Sequence, residues 1–153
     1  MSENTTSNVG SYFLNNNLRG VLFSYSEQCF ILAEASLKGI YSGDASNFMR
    51  LGIEAHMNYL LIEPDLIADY LNNLPSVSLS EIQKQKWITF LYLNAFEAFA
   101  EKRRTGYPLF DIENTENPLP KRLVYPSSEY DLNGPNVSAQ GFINSQTPVW
   151  WDN

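Results

Sequence analysis

The stretch Ser78–Pro108, SLSEIQKQKWITFLYLNAFEAFAEKRRTGYP, decides how the rest of the chain must be arranged. Its start is encoded twice. Ser78 and Glu81, three residues apart, form a capping box, and Val77 and Ile82 occupy the positions of a hydrophobic staple. Its end is encoded by Lys102, Arg103 and Arg104, cations that suit the negative pole of a helix. Gly106 then supplies a left-handed C′ residue, and Pro108 blocks continuation. Between these signals Trp87–Ala100 is apolar on nearly every side, so it belongs inside either a bilayer or a protein. Interrupted by Asn94 and Glu97, it falls short of the roughly 20 residues that a membrane span needs. The pattern predicts one long core helix over about 79–104, with Trp87, Phe90, Leu91, Phe96 and Phe99 buried.

Such a helix needs neighbours, and the upstream sequence supplies them. Ser24 and Glu27 make a second capping box, opening a helix over about 24–38 that carries Cys29, Phe30, Ala33 and Leu37 and stops at Gly39. Asp44 caps a helix over about 44–61, with Phe48, Leu51, Gly52, Ala55 and Tyr59 on one face. Two helices joined by so short a turn form an αα-hairpin, the unit of tetratricopeptide-like arrays, although no 34-residue repeat is visible. Pro64 opens a shorter helix over about 64–74, striped by Leu66, Ile67, Tyr70, Leu71 and Leu74 and closed by Leu74-Pro75.

Downstream of the central helix, periodicity disappears. Six of the eight prolines lie in residues 108–153, and Asn133-Gly134-Pro135 reads as a turn. Tyr107, Phe110, Tyr125, Tyr130, Phe142, Trp150 and Trp151 make the segment too apolar for a disordered tail. Residues 107–153 are therefore expected to form an ordered, irregular strap laid over the helices. Residues 1–22 read as a polar, frayed lead-in, and 23–153 as a single all-α domain.

The bulk properties narrow the function. A chain of 153 residues can bury a real core. A net charge of −7 and a pI near 4.6 leave no basic patch for nucleic acid. The lone Cys29 cannot form an internal disulfide and fits a structural thiol. With His56 the only histidine, neither a histidine metal site nor a Ser-His-Asp triad can be assembled. Asp111, Glu113 and Glu116 lack the glycine and ligand order of a calcium loop. No pair of carboxylates stands out for glycoside hydrolysis, whose spacing is a property of the fold. Neither a cofactor, a metal nor a transmembrane segment is expected.

At this point several motifs resemble one family. FSYSEQCFILAEASLKGIYSGDASNFMRLGIEAHMNY, QKWITFLYLNAFEAFAEKRRTGYP, PLPKRLVYPSSEYDLN and the closing VWWD look like the C-terminal part of the SusD/RagB proteins. These are outer-membrane lipoproteins of Bacteroidetes that bind nutrients for a TonB-dependent transporter. The likeness runs from about Phe23 to Asp152. It implies a non-enzymatic glycan-binding component at the cell surface, with an oligosaccharide ligand and a SusC-like transporter as partners. The family's signal peptide, lipid-bearing cysteine and N-terminal domain have no counterpart here, and Cys29 falls in mid-helix. The expectation is thus a truncated or shortened relative. An alternative is a helical interaction module that docks to the transporter without binding sugar.

Particular residues carry these alternatives. Tyr130, Trp150 and Trp151 are the ligand candidates, because flat aromatic faces stack on sugar rings. A terminal Trp-Trp that pins the strap to the helices explains the same residues. Arg103 and Arg104 are suited to bidentate polar recognition, yet helix termination accounts for both. Glu97, a carboxylate in an apolar run, must be paired or protonated. A structural ion pair with Arg104 or Arg122 is expected.

Overall fold

The computed structural model describes residues 9–18, 20–110, 118–141 and 143–150. Two compact units divide the chain, Met1–Pro108 and Leu109–Asn153, where the sequence reading has one domain over 23–153. The described residues are helical, with no strand among them. The architecture is all-α, as expected.

In the first unit the helices are α1 (Tyr25–Leu37), α2 (Ala45–Tyr59), α3 (Pro64–Asn72), α4 (Leu79–Phe90) and α5 (Ala95–Thr105). The caps follow the sequence closely. The Ser24 hydroxyl accepts from the Glu27 N–H at 3.0 Å, and Asp44 accepts from Ser46 and Asn47 at 2.9 and 3.1 Å. Ser78 accepts from the Glu81 N–H at 3.2 Å. Each such cap is worth about 1 kcal/mol. Pro64 occupies the first turn of α3.

α1 and α2 pair as the hairpin, α4 lies along α1, α3 packs on α2, and α5 returns against α4. The core between them holds Phe30, Ala33, Met49, Ile53, Ile67, Leu71 and Ile82, flanked by Val77. Phe30 and Met49 are wholly enclosed, and each such side chain contributes about 1.5–3 kcal/mol. The buried face of α2 is Met49, Gly52, Ile53 and His56, rotated from the Phe48–Tyr59 stripe that the sequence suggests. Gly52 explains the rotation. It faces α1 so closely that a Cβ would stand 2.9 Å from the Phe30 ring. Its carbonyl accepts from the Ser26 hydroxyl at 2.6 Å, so the two helices meet backbone to side chain.

The expected helix over 79–104 is instead two. Leu91 leaves the helical region, Tyr92 takes a positive φ of 63°, and Asn94 restarts the chain as the cap of α5. The Asn94 side chain accepts from the Glu97 N–H at 3.4 Å. The break changes which apolar residues turn inward. Phe90 is buried, Trp87 is partly buried, and Phe96 is 77% exposed. At the far end Gly106 takes a φ of 75° and donates to the Lys102 carbonyl at 2.8 Å. The Lys102 ammonium folds over the same end, donating to the carbonyls of Gly106 and Pro108 at 2.9 and 2.7 Å.

Part of the lead-in packs on the helical unit. Tyr12 sits edge-on to Tyr59 and Phe13 lies against Tyr92, with centroids 5.9 and 5.1 Å apart. The apolar run Tyr12-Phe13-Leu14, in an otherwise polar stretch, is the signal for this.

The second unit contains a helix that the sequence reading leaves as irregular strap, α6 (Ser127–Ala139). Asn133 is non-helical inside it and Pro135 follows, so Asn133-Gly134-Pro135 kinks the helix rather than ending it. Asn133 bonds to Glu129 and Asn136 across the kink at 3.2 and 2.6 Å. The segments either side of α6 meet, because the Lys121 N–H donates to the Ser145 carbonyl at 2.7 Å and Gln146 donates to Pro118 and Leu119. Val137 is buried.

Candidate functional site

The strongest electrostatic feature of the helical unit joins α1, α4 and α5. The Arg104 guanidinium donates to both Glu34 oxygens at 2.8 and 2.7 Å and to Glu101 at 2.7 Å. Glu34 also receives the Gln83 amide at 2.7 Å and the Lys38 ammonium. Glu101 pairs with the buried Lys86 at 3.0 Å. Hydrogen bonding from Arg104 is the main reason that the Glu34 carboxyl is held down at about 2, against an upward push from burial. The same pairing raises the Arg104 pKa. Burial is the largest single influence on Glu101 and pushes it up, yet Arg104 and Lys86 together bring it down. Every charge here has an opposite partner, which marks the cluster as a structural clasp.

This unit also carries a pocket of about 500 Å³. The 20–24 loop, the start of α1, the end of α2, the end of α4 and the turn before α5 form its walls, which are predominantly apolar. Phe23, Tyr25, Tyr59, Phe90 and Leu93 face it, together with His56, whose pKa burial lowers. Glu27 lies at its edge, its carboxyl pushed up chiefly by burial. Four polar groups on the wall are engaged within the fold. The Ser24 hydroxyl caps α1, that of Ser26 bonds to Gly52, that of Thr89 donates to Gln85 at 3.1 Å, and the Asn94 oxygen caps α5. Gly20, Val21 and Leu22 on this wall come from the stretch that the sequence reading treats as a lead-in.

The sequence-named residues fall in different places. Tyr130 lies on α6, 48% exposed, and Trp150 is 88% exposed near the end of the second unit. Trp151 lies outside the described residues, as do Asp111, Glu113 and Glu116. Arg103 stands over the Phe99 ring at 5.8 Å and Arg122 over Tyr125 at 5.7 Å, both cation–π contacts. The expected partner of Glu97 is corrected. Arg104 goes to Glu34 and Glu101, and Glu97 is exposed on the first turn of α5. The physical reason is the break at Tyr92, which turns a mid-helix carboxylate into a solvated, dipole-favoured position at a helix start. Among the described residues no cluster of three or more His, Cys, Asp or Glu could hold a metal. Among the described residues no helix is long and apolar enough to cross a membrane.

Residues 1–126 match the SusD-like family described as "starch-binding associating with outer membrane". The chain belongs to this family. Solved structures show the same fold. A chitin-binding protein is 33% identical with a TM-score of 0.71 over 85% of this SusD-like chain. A SusD homologue from Bacteroides fragilis NCTC 9343 is 29% identical with a TM-score of 0.72 over 88%. A protein from Bacteroides vulgatus ATCC 8482 is 26% identical with a TM-score of 0.64 over 88%. The matched regions make up 33%, 36% and 35% of those chains, so this chain spans about a third of their length. No curated protein matches it.

Proposed function

We propose that this chain is the glycan-capturing component, or part of one, of an outer-membrane uptake system, working by reversible binding without chemistry. Membership of a family described as starch-binding, and 33% identity to a chitin-binding protein, carry this reading. Its partner would be a SusC-like TonB-dependent transporter, and its place the outer surface of the outer membrane. Within the chain, the exposed rings of Trp150 and Tyr130 are the surfaces best suited to stacking on pyranose faces. Trp151 is proposed as a third candidate on its residue type alone. Titration with malto- and chito-oligosaccharides, followed by tryptophan fluorescence, tests the reading. A saturable change with one of them supports it, and silence to both rejects it.

One observation favours a second reading, a helical module that docks to the transporter and binds no sugar. Large apolar side chains such as Leu61 and Phe96 stand bare on the helical unit, as a docking surface requires. Retained transporter binding with no glycan response would select it.

A further inference from the structure

Four aromatic rings from three separate stretches of sequence form a row on the helical unit. Tyr59 ends α2, Tyr12 and Phe13 lie in the short 3-10 turn Ser11–Leu14, and Tyr92 stands between α4 and α5. Tyr59 meets Tyr12 at 5.9 Å and 74°, and Tyr12 meets Phe13 at 5.3 Å and 86°. Phe13 meets Tyr92 at 5.1 Å and 40°. Edge-on and tilted contacts of this kind are favoured between aromatic rings, so each ring fixes the next. The row is not a closed core. Its two ends stay in water, Tyr92 59% exposed and Tyr59 36%.

Two features go beyond what anchoring the N-terminal segment requires. One is the backbone at Tyr92. Its φ of 63° is a strained conformation for a bulky residue, and glycine would take it freely. A ring is kept where the backbone alone favours glycine. The other is the company the rings keep. Asn15, Asn16 and Asn17 follow them directly and are exposed, as is Asn58 beside Tyr59. Each carboxamide can both donate and accept. Residues 9–18 carry no charge, so an ionic ligand would find no partner on this segment. A hydrocarbon partner would strip water from the carboxamides without replacing it, which is costly. Rings beside neutral amides suit a ligand with C–H faces and a rim of uncharged hydroxyls.

We infer that the row Tyr59–Tyr12–Phe13–Tyr92 is a stacking platform for a neutral oligosaccharide, carried by residues other than Tyr130 and Trp150. The platform rests on the glycan reading of the chain and adds a second place of contact to it.

The test is titration of the isotope-labelled chain with malto- and chito-oligosaccharides, read by heat and by amide chemical shifts. The amides of residues 12–17 and 92–94 should move saturably with at least one sugar. Tyr92→Gly removes the ring while easing the backbone. In the Tyr130→Ala/Trp150→Ala chain, where the row is the contact left, it should weaken binding about tenfold with helical circular dichroism unchanged. Tyr92→Phe keeps the ring and should bind nearly as well as tyrosine. If Tyr92→Gly does not fold, the shifts in the intact chain decide. A sugar response that leaves those amides still, that vanishes in the Tyr130→Ala/Trp150→Ala chain, or that a folded Tyr92→Gly leaves at full strength overturns the platform while the glycan reading stands. Silence of the intact chain to both sugars rejects the reading and the platform together.

Discussion

Arg104 closes a two-pronged hydrogen bond on Glu34, 2.8 and 2.7 Å long, across 70 residues of chain. The bond ties the last helix of the bundle to the first. Gln83 and Lys38 complete the carboxylate's shell, while Glu101 and Lys86 continue the alternation of charge. Planar, bidentate geometry is what a guanidinium supplies and an ammonium does not.

Removing one partner should therefore cost more than a surface ion pair. Arg104→Ala is expected to lower stability by about 2–3 kcal/mol, below the full figure for a buried pair because the arginine is half-exposed. Arg104→Lys should recover less than half. Urea unfolding followed by circular dichroism at 222 nm checks both; equal stability of all three proteins would show the clasp to be idle.

The clasp also sets the acid limit of the fold. The folded Glu34 carboxyl titrates at about 2, below its ordinary value of 4.5. A depressed carboxyl contributes stability above its unfolded pKa and loses it as pH falls through the folded value. The loss should run from about pH 5 down to about pH 2, on the order of 1–2 kcal/mol after screening at the exposed side. Glu101 and His56, both lowered, act in the same direction, His56 beginning below its ordinary 6.5. Glu27, raised by burial, opposes them: its contribution is present below about 4.5 and is lost as pH rises. Glu34→Gln should flatten the acid side of the profile, and an unchanged slope would assign it to other groups.

Two glycines should respond to the same substitution for different reasons. Gly52→Ala places a methyl against the Phe30 ring, and overpacking of this kind costs about 1–3 kcal/mol. Gly106→Ala meets no atom within 4 Å but must hold a φ of +75°, a backbone cost of about 1–2 kcal/mol. A neighbouring change that trims the ring, Phe30→Leu, should soften the first and leave the second untouched. Thermal melts of the three single variants and of the two glycine variants combined with Phe30→Leu check this.

The break between α4 and α5 yields a further expectation. Asn94→Ala removes the cap of α5 and should cost about 1 kcal/mol, whereas in an unbroken helix alanine would stabilise. The sign of the change in urea midpoint is the readout.

This break shows what was legible in the sequence and what was not. Asn94 and Glu97 repeat the three-residue spacing of Ser24–Glu27 and Ser78–Glu81, so the restart is encoded. The apolar run on both sides of it masks that signal, because periodicity weighs more heavily than one polar residue. Local devices, the three other caps, Pro64 and Gly106, are readable because they act within one turn. Glu34–Arg104 is not, since nothing local to either residue names a partner 70 positions away. The face of α2 is set by the close approach of Gly52 to Phe30, a tertiary contact that helical spacing alone does not specify. The pocket is not legible either, because its wall forms only where the 20–24 loop, three helices and a turn converge, and no local pattern names that meeting.

Isothermal titration of the intact chain with a chito-oligosaccharide and a malto-oligosaccharide, beside the Tyr130→Ala/Trp150→Ala variant, tests the central claim most directly. Saturable binding of at least one sugar, weakened tenfold or more in a variant that keeps its helical content, is the predicted result. No heat from either sugar, or equal affinity in the two proteins, would contradict the assignment of glycan capture to these rings.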